Sequence, residues 1–96
     1  MDSEKNIDGV TVNDDGSFTL TLSRPLMVDS VPISSVQMRE PTLEDEVVGD
    51  KVAGSDLDKE VALFANLCML KPADLRRLRS RDYRRLRAAY ATHFFD

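Results

Sequence analysis

Few side chains in this sequence are of the types that perform covalent or metal chemistry. The 96 residues include one cysteine, Cys68, and one histidine, His93. A nucleophilic cysteine needs a neighbouring base, and no motif in the sequence places these two residues together. They are also too few soft ligands for a structural zinc site. A single cysteine fits a reducing compartment, and in its apolar segment Cys68 is best explained as a small buried hydrophobic residue.

A group of acidic residues between positions 40 and 50 is a second candidate for chemistry. Calcium loops place their oxygen ligands at alternate positions around a glycine turn, and this group lacks that spacing. We therefore expect a solvated helix start. The sequence has no glycine-rich phosphate loop and no catalytic signature. We predict no catalytic residue, no metal and no cofactor, and an enzyme is the least favoured class. The acidic residues are Glu40, Glu44, Asp45, Glu46 and Asp50.

Residues 75–87 are the most distinctive charged segment, with seven arginines in thirteen positions. Residues 71–96 carry a net charge of +5 and residues 1–70 a net charge of −9, so the whole chain is at −4. On a helical wheel, Arg81, Arg84 and Arg85 lie together. Three explanations are open: a solvated face with ion pairs inside the chain, a protein partner, or nucleic acid. The overall acidity disfavours nucleic acid, whose binding domains are usually strongly basic.

The composition is that of a soluble globular domain. The chain is 42% hydrophobic and 31% charged, close to the average for such proteins. The densest apolar run, residues 61–70, has nine apolar positions in ten, whereas a membrane span needs roughly 18. No basic segment followed by an apolar stretch opens the sequence, so neither a signal peptide nor a membrane association is expected.

Strict alternation of apolar and polar side chains predicts a strand over residues 17–23. Phe18, Leu20 and Leu22 fall on one face, which is typical of a half-buried strand. Pro25 is expected to end this strand, because proline cannot donate a hydrogen bond to the neighbouring strand.

A second strand is predicted over residues 33–39, with Val36 and Met38 on the same face. Residues 28–30 have the composition of a turn between the two strands, which then form an antiparallel hairpin. Residues 10–12 could add a short third strand. A hairpin alone is marginally stable in water and must pack on something else.

The second half of the sequence is predicted to be helical over residues 43–48 and 57–70, for one or two turns within residues 72–78, and from its cap at Ser80 to about residue 94. The expected N-caps are Thr42, Ser55 and Ser80. Gly49 and Gly54 are expected to break the chain between the first two helices.

Two of these helices present large apolar surfaces. Over residues 57–70 the polar stripe is narrow, and Leu57, Val61, Phe64, Leu67 and Cys68 fill the opposite side. Such a helix must be buried in the core or against another subunit, so we expect homo-oligomers. The last helix has a stripe at spacings of three and four, formed by Tyr83, Leu86, Tyr90 and Phe94.

Strands followed by helices indicate an α+β fold. We predict an N-terminal antiparallel β-hairpin, with or without the short third strand, packed on a C-terminal bundle of three to four short helices. Residues 10–96 are predicted to form one domain, preceded by a flexible N-terminal segment at residues 1–9.

The order of several segments resembles that of a known protein family. The most specific piece is the tetrapeptide Arg39-Glu40-Pro41-Thr42, between the hairpin and the apolar helix. Before it lie the segments at residues 21–25 and 28–30, and after it those at 60–68, 70–75 and 80–83. In this order the chain resembles the small tail assembly chaperones of long-tailed phages, especially the contractile-tailed, Mu-like group, over about residues 19–95.

The resemblance implies a binding protein and not an enzyme. Such chaperones act in the cytoplasm of the infected host, coat the long tape measure protein, keep it soluble, and are absent from the finished virion. On this basis the partner-binding residues would be Leu63, Phe64, Leu67, Tyr83, Arg84, Arg87, Tyr90 and Phe94. The alternative for the apolar members is that they form the core of a small domain. The competing function is a small phage or bacterial regulatory protein that binds nucleic acid through the arginine-rich helix.

The resemblance also implies two product lengths, since these chaperones often have a longer form made by ribosomal frameshifting. The codons for Phe94, Phe95 and Asp96 can read UUU-UUU-GAU, a slippery run. The resemblance thus implies a frameshifted longer form of the protein as a further partner. The alternative is that Phe94 is a core residue and Phe95 lies at a frayed end.

Overall fold

The computed structural model describes residues 7–94, which form a three-stranded antiparallel sheet followed by four helices. The sheet has the order β1-β2-β3, with strands Val10–Val12, Phe18–Val28 and Val31–Met38. The helices are α1 (Leu43–Asp50), α2 (Asp56–Cys68), α3 (Pro72–Leu75) and α4 (Ser80–Phe94). The predicted α+β fold is confirmed, including the short third strand.

The hairpin of β2 and β3 closes through a two-residue turn at Asp29 and Ser30. Both residues have positive φ, 51° and 68°, as a turn matching the twist of the two strands requires. The prediction that Pro25 ends the first strand is wrong, because β2 continues to Val28. Pairing with β3 is irregular between Thr21 and Leu26, and β1 reaches no further than Leu20. Pro25 therefore has no ladder hydrogen bond to lose.

Helix α1 runs through Gly49, which the sequence predicted to be a break. A Cβ atom at this position would lie 3.3 Å from the Cβ of Leu63. The missing side chain lets α1 approach α2 closely, so the glycine serves helix packing and not chain reversal. Thr42 is the N-cap and shares a capping box with Asp45, as predicted from the sequence.

Helix α2 begins at a second capping box, formed by Ser55 and Asp58. It ends two residues before the predicted end at residue 70, because Met69 takes the left-handed conformation with φ of 59°. The backbone N–H of Leu70 then donates to the carbonyl of Ala65, 2.9 Å away, and that of Met69 to the carbonyl of Asn66, 3.2 Å away, as in a Schellman cap.

The last two helices lie where they were predicted, and only the cap of α4 differs. Helix α3 is one turn long and ends at Leu75, within the one or two turns predicted for residues 72–78. Ser80 is the first residue of α4 and not its cap. The first helical hydrogen bond runs from the N–H of Tyr83 to the carbonyl of Arg79, at 3.0 Å.

The core lies between the inner face of the sheet and helices α2 and α4. The alternating positions predicted for β2 and β3 are buried in it, and the aromatic ring of Phe18 stacks on that of Phe94 at a centroid distance of 5.5 Å. Its largest fully buried apolar members are Phe18, Leu20, Met38, Phe64, Leu67, Leu75 and Leu86.

The segment predicted to be flexible, residues 1–9, lies outside the described residues except for positions 7–9. There the N–H of Val10 donates to the carbonyl of Ile7 at 3.0 Å, closing a turn. Between residues 7 and 94 no helix combines the length and hydropathy that crossing a membrane requires.

Candidate functional site

Helix α4 is fixed to the sheet by a buried carboxylate. Asp82 is fully buried and accepts hydrogen bonds from the backbone N–H and the hydroxyl of Ser23, at 3.1 and 2.9 Å. The guanidinium of Arg85 lies 3.7 Å from the same carboxylate. This link sets the position of the first turn of α4 against β2. The link was not predicted, because nothing in the sequence distinguishes Asp82 from an ordinary acidic residue in a first helical turn.

The distinctive Arg-Glu-Pro-Thr tetrapeptide joins three elements. Arg39 donates two hydrogen bonds to the carboxylate of Asp45, at 2.7 and 3.0 Å. The same carboxylate accepts from the backbone N–H of Thr42 and from the side-chain amide of Asn66. The pKa of Asp45 is held well below its usual range, first by Arg39 and then by Thr42. The motif therefore clamps the end of β3 to α1 and α2.

An open groove of about 460 Å³ lies where α2, α3 and α4 meet. Its walls carry apolar side chains from all three elements and from the segment that leads into α4, and three arginines lie at its rim. Leu57 is 52% exposed there, although the sequence predicted it on the buried side of its helix. The apolar residues are Leu57, Val61, Leu75, Leu78 and Tyr83, and the arginines are Arg76, Arg84 and Arg87.

Two of the three rim arginines are held by acidic residues of α2. Arg76 lies 2.7 Å from Asp58, whose pKa is lowered to about 2, first by that arginine and then by Ser55. Arg87 lies 2.9 Å from Glu60. Arg84 forms no ion pair with any of residues 7–94.

Tyr83 is held at the wall of the groove by the same acidic residue that binds Arg87. Its hydroxyl donates to Glu60 at 2.8 Å, and the guanidinium of Arg87 lies 5.4 Å from the centre of its ring. Burial raises the pKa of Tyr83, and the hydrogen bond to Glu60 raises it further. The phenol is thus a neutral hydrogen-bond donor, and the groove presents an ordered wall with an apolar surface.

The residues predicted to bind a partner fall into two sets. Tyr83, Arg84 and Arg87 line the groove. The others lie away from it: Phe64 and Leu67 are buried, Leu63 lies against Gly49, and Tyr90 and Phe94 are half-buried against core rings. Leu63, Phe64 and Tyr90 border a separate cleft of about 240 Å³ between α1, α2 and α4.

The residues that α3 and its flanks bring to the groove were not predicted from the sequence. Leu75 and Leu78 are spaced three apart, which could have indicated an apolar face, but helical spacing cannot say against which element that face lies.

The arginine-rich segment divides between internal ion pairs and unpaired side chains. Four of its arginines are paired with acidic residues of the chain, namely Arg76, Arg77, Arg85 and Arg87. The other three, Arg79, Arg81 and Arg84, pair with no acidic residue in the described part of the chain. Internal ion pairing therefore explains only part of this segment.

Comparison with known proteins gives one family. The model of a family described as phage tail assembly chaperone proteins, E, or 41 or 14, matches residues 19–96. No curated protein and no solved structure matches the chain. The match begins within β2 and covers β3 and every helix of residues 7–94, and so every residue that lines the groove.

Proposed function

The chain belongs to the phage tail assembly chaperone family, and from this membership we propose that it binds the tape measure protein and keeps that protein soluble while the tail is assembled. The observation that carries this proposal is the groove between α2, α3 and α4. A tape measure is a long, largely helical chain with apolar stripes, which aggregates when bare. An amphipathic helix buries its stripe in an apolar groove of this kind.

The shape of the groove favours reversible binding. It is open to solvent and holds about 460 Å³, so it covers a few side chains of a helix and not the whole of its surface. Affinity for one segment is then modest, and many copies along the tape measure protein protect it together. Tail tube subunits can displace such copies one after another, and the chaperone is absent from the finished virion.

The proposed activity is binding without catalysis, in the cytoplasm of the host cell. Self-association belongs to the same proposal. The sheet, α1, α3 and α4 cover most of α2, so α2 offers less free surface for a second copy than its sequence predicted. Helix α1 supplies another apolar face, because Leu43, Val47 and Val48 are 77%, 39% and 51% exposed.

A frameshifted longer form remains part of the proposal. Such a form would add a second binding segment and raise the effective concentration at the partner. Phe94 packs on Phe18, and residues 95–96 lie outside the described residues. The nucleotide sequence decides this point: UUC codons for the two phenylalanines, or no overlapping reading frame, would eliminate the idea.

Coexpression with the cognate tape measure protein tests the function. The tape measure protein alone is expected in the insoluble fraction. With the chaperone it should become soluble and co-elute with the chaperone in size-exclusion chromatography. An unchanged soluble yield together with separate elution would overturn the proposal.

A further inference from the structure

A second groove, lined by arginines, lies between β2 and the start of α4. It holds about 780 Å³ and is bordered by Arg24, Arg79, Arg81 and Arg84. All four side chains are exposed, and none forms an ion pair with an acidic residue among positions 7–94. We call this surface the arginine groove.

The positions of these arginines are unfavourable for the free protein. Arg79 and Arg81 flank Ser80 at the first turn of α4, where the positive end of the helix dipole repels a cation. Arg24 and Arg84 bring two more positive charges to the same groove. Like charges repel each other, and the one acidic side chain in the first turn of α4, Asp82, is buried, bonded to Ser23 and paired with Arg85. A partner that supplies negative charge would relieve this repulsion.

The arginine groove adjoins the apolar groove described above. Ser80 and Arg84 line both. The joined surface therefore has an apolar half, formed by α2, α3 and α4, and a cationic half next to β2. A ligand that fits both halves must present apolar side chains and negative charge side by side.

We propose that this joined surface recognises an amphipathic helical segment of the partner protein whose apolar stripe ends in a cluster of Asp or Glu residues. The proposal rests on the proposed function and adds the chemistry of the segment that is bound. Arginine suits this role, since its planar guanidinium forms paired hydrogen bonds with a carboxylate. A protein helix is favoured over nucleic acid because the apolar half offers nothing to a phosphate backbone, and the chain as a whole carries a net charge of −4.

Two synthetic helical peptides provide the test. Both are 20 residues long with the same leucine stripe, and the stripe is followed by four glutamates in one and four glutamines in the other. Fluorescence anisotropy measures binding to the full chain at low and high salt. The glutamate peptide should bind about tenfold tighter at low salt, and the difference should shrink as salt is raised.

Two double variants separate the arginine groove from general electrostatics. Arg79→Gln/Arg81→Gln should abolish the preference for the glutamate peptide and leave binding of the glutamine peptide unchanged. Lys51→Gln/Lys71→Gln removes the same charge from exposed positions that line neither groove and should keep the preference. Circular dichroism of both variants checks that the fold is retained.

Other results would overturn the inference. Equal affinity for the two peptides, or a preference unaffected by Arg79→Gln/Arg81→Gln, contradicts it while leaving the proposed function to the coexpression test. Binding of neither peptide also contradicts it. Tighter binding of a 20-nucleotide RNA or DNA duplex than of the glutamate peptide, lost in the same arginine variant, would assign the groove to nucleic acid instead.

Discussion

Met69 ends α2 in the left-handed conformation with φ of 59°, and its side chain is 87% exposed. A residue with a Cβ atom is strained there, and glycine is not. We predict that Met69→Gly stabilises the protein by about 1 kcal/mol, the left-handed strain less the extra freedom of glycine in the unfolded chain, which raises Tm by about 4–8 °C in a domain of this size. Ala88→Gly, at an exposed position inside α4, is the matched control and should lower Tm. An unchanged or lower Tm for Met69→Gly would contradict this explanation.

Asp82 is the residue on which the position of α4 depends most. Replacement by alanine leaves the backbone N–H of Ser23 without its acceptor, at a cost of about 1–3 kcal/mol in the free energy of unfolding. Asp82→Asn keeps an acceptor oxygen and should cost less. Urea denaturation of the two variants measures both values. Wild-type stability for Asp82→Ala would show that the link to Ser23 is dispensable.

At the scale of elements, the two capping boxes predict how stability depends on pH. The pKa of Asp58 is lowered from 3.8 to about 2, first by Arg76 and then by Ser55, and that of Asp45 also lies below its usual range. The unfolded chain therefore binds protons more readily than the folded chain at these sites. Their contribution is complete above the unfolded pKa and is lost as the pH falls through the folded values.

We therefore predict that Asp45→Asn/Asp58→Asn lowers Tm at pH 7 and that its difference from the wild type shrinks as the pH falls from about 4 towards 2. Asp56→Asn is the control, since it lies in the same turn as Asp58 but its side chain forms no hydrogen bond or ion pair with residues 7–94. Thermal denaturation followed by circular dichroism between pH 2 and pH 7 provides the measurement. A difference in Tm that stays constant over this range would show that the ionisation of Asp45 and Asp58 does not contribute to stability.

The elements themselves were largely predictable from the sequence, and the errors have local physical causes. Alternation located the inner faces of β2 and β3, and the side-chain caps located the starts of α1 and α2. Pro25 and Gly49 misled the prediction because each is accommodated by a neighbour: a break in strand pairing at Pro25 and the side chain of Leu63 at Gly49. Both arrangements depend on contacts between elements that are distant in the sequence, and local sequence patterns do not contain that information.

At the scale of the whole molecule, the sequence predicted part of the groove. Tyr83, Arg84 and Arg87 were identified from the stripe and charge of one helix. Leu57 was predicted to be buried, because the helical wheel placed it with the buried face. Nothing in the sequence indicates that the core ends before it reaches the first turn of α2. The junction of α2, α3 and α4 exists only after folding, so its apolar surface could not be derived from any one segment.

The central claim is that this groove solubilises the tape measure protein, and two matched variants test it most directly. Leu57 and Val31 are 52% and 57% exposed, but only Leu57 lines the groove. Since both side chains are exposed, aspartate buries no charge at either position, and at 57 it lies in a first helical turn, where negative charge is favourable. The measurement is the soluble fraction of tape measure protein coexpressed with each variant. Leu57→Asp should return this fraction to its level without chaperone, and Val31→Asp should leave it at the wild-type level. Wild-type solubility with Leu57→Asp would contradict the account.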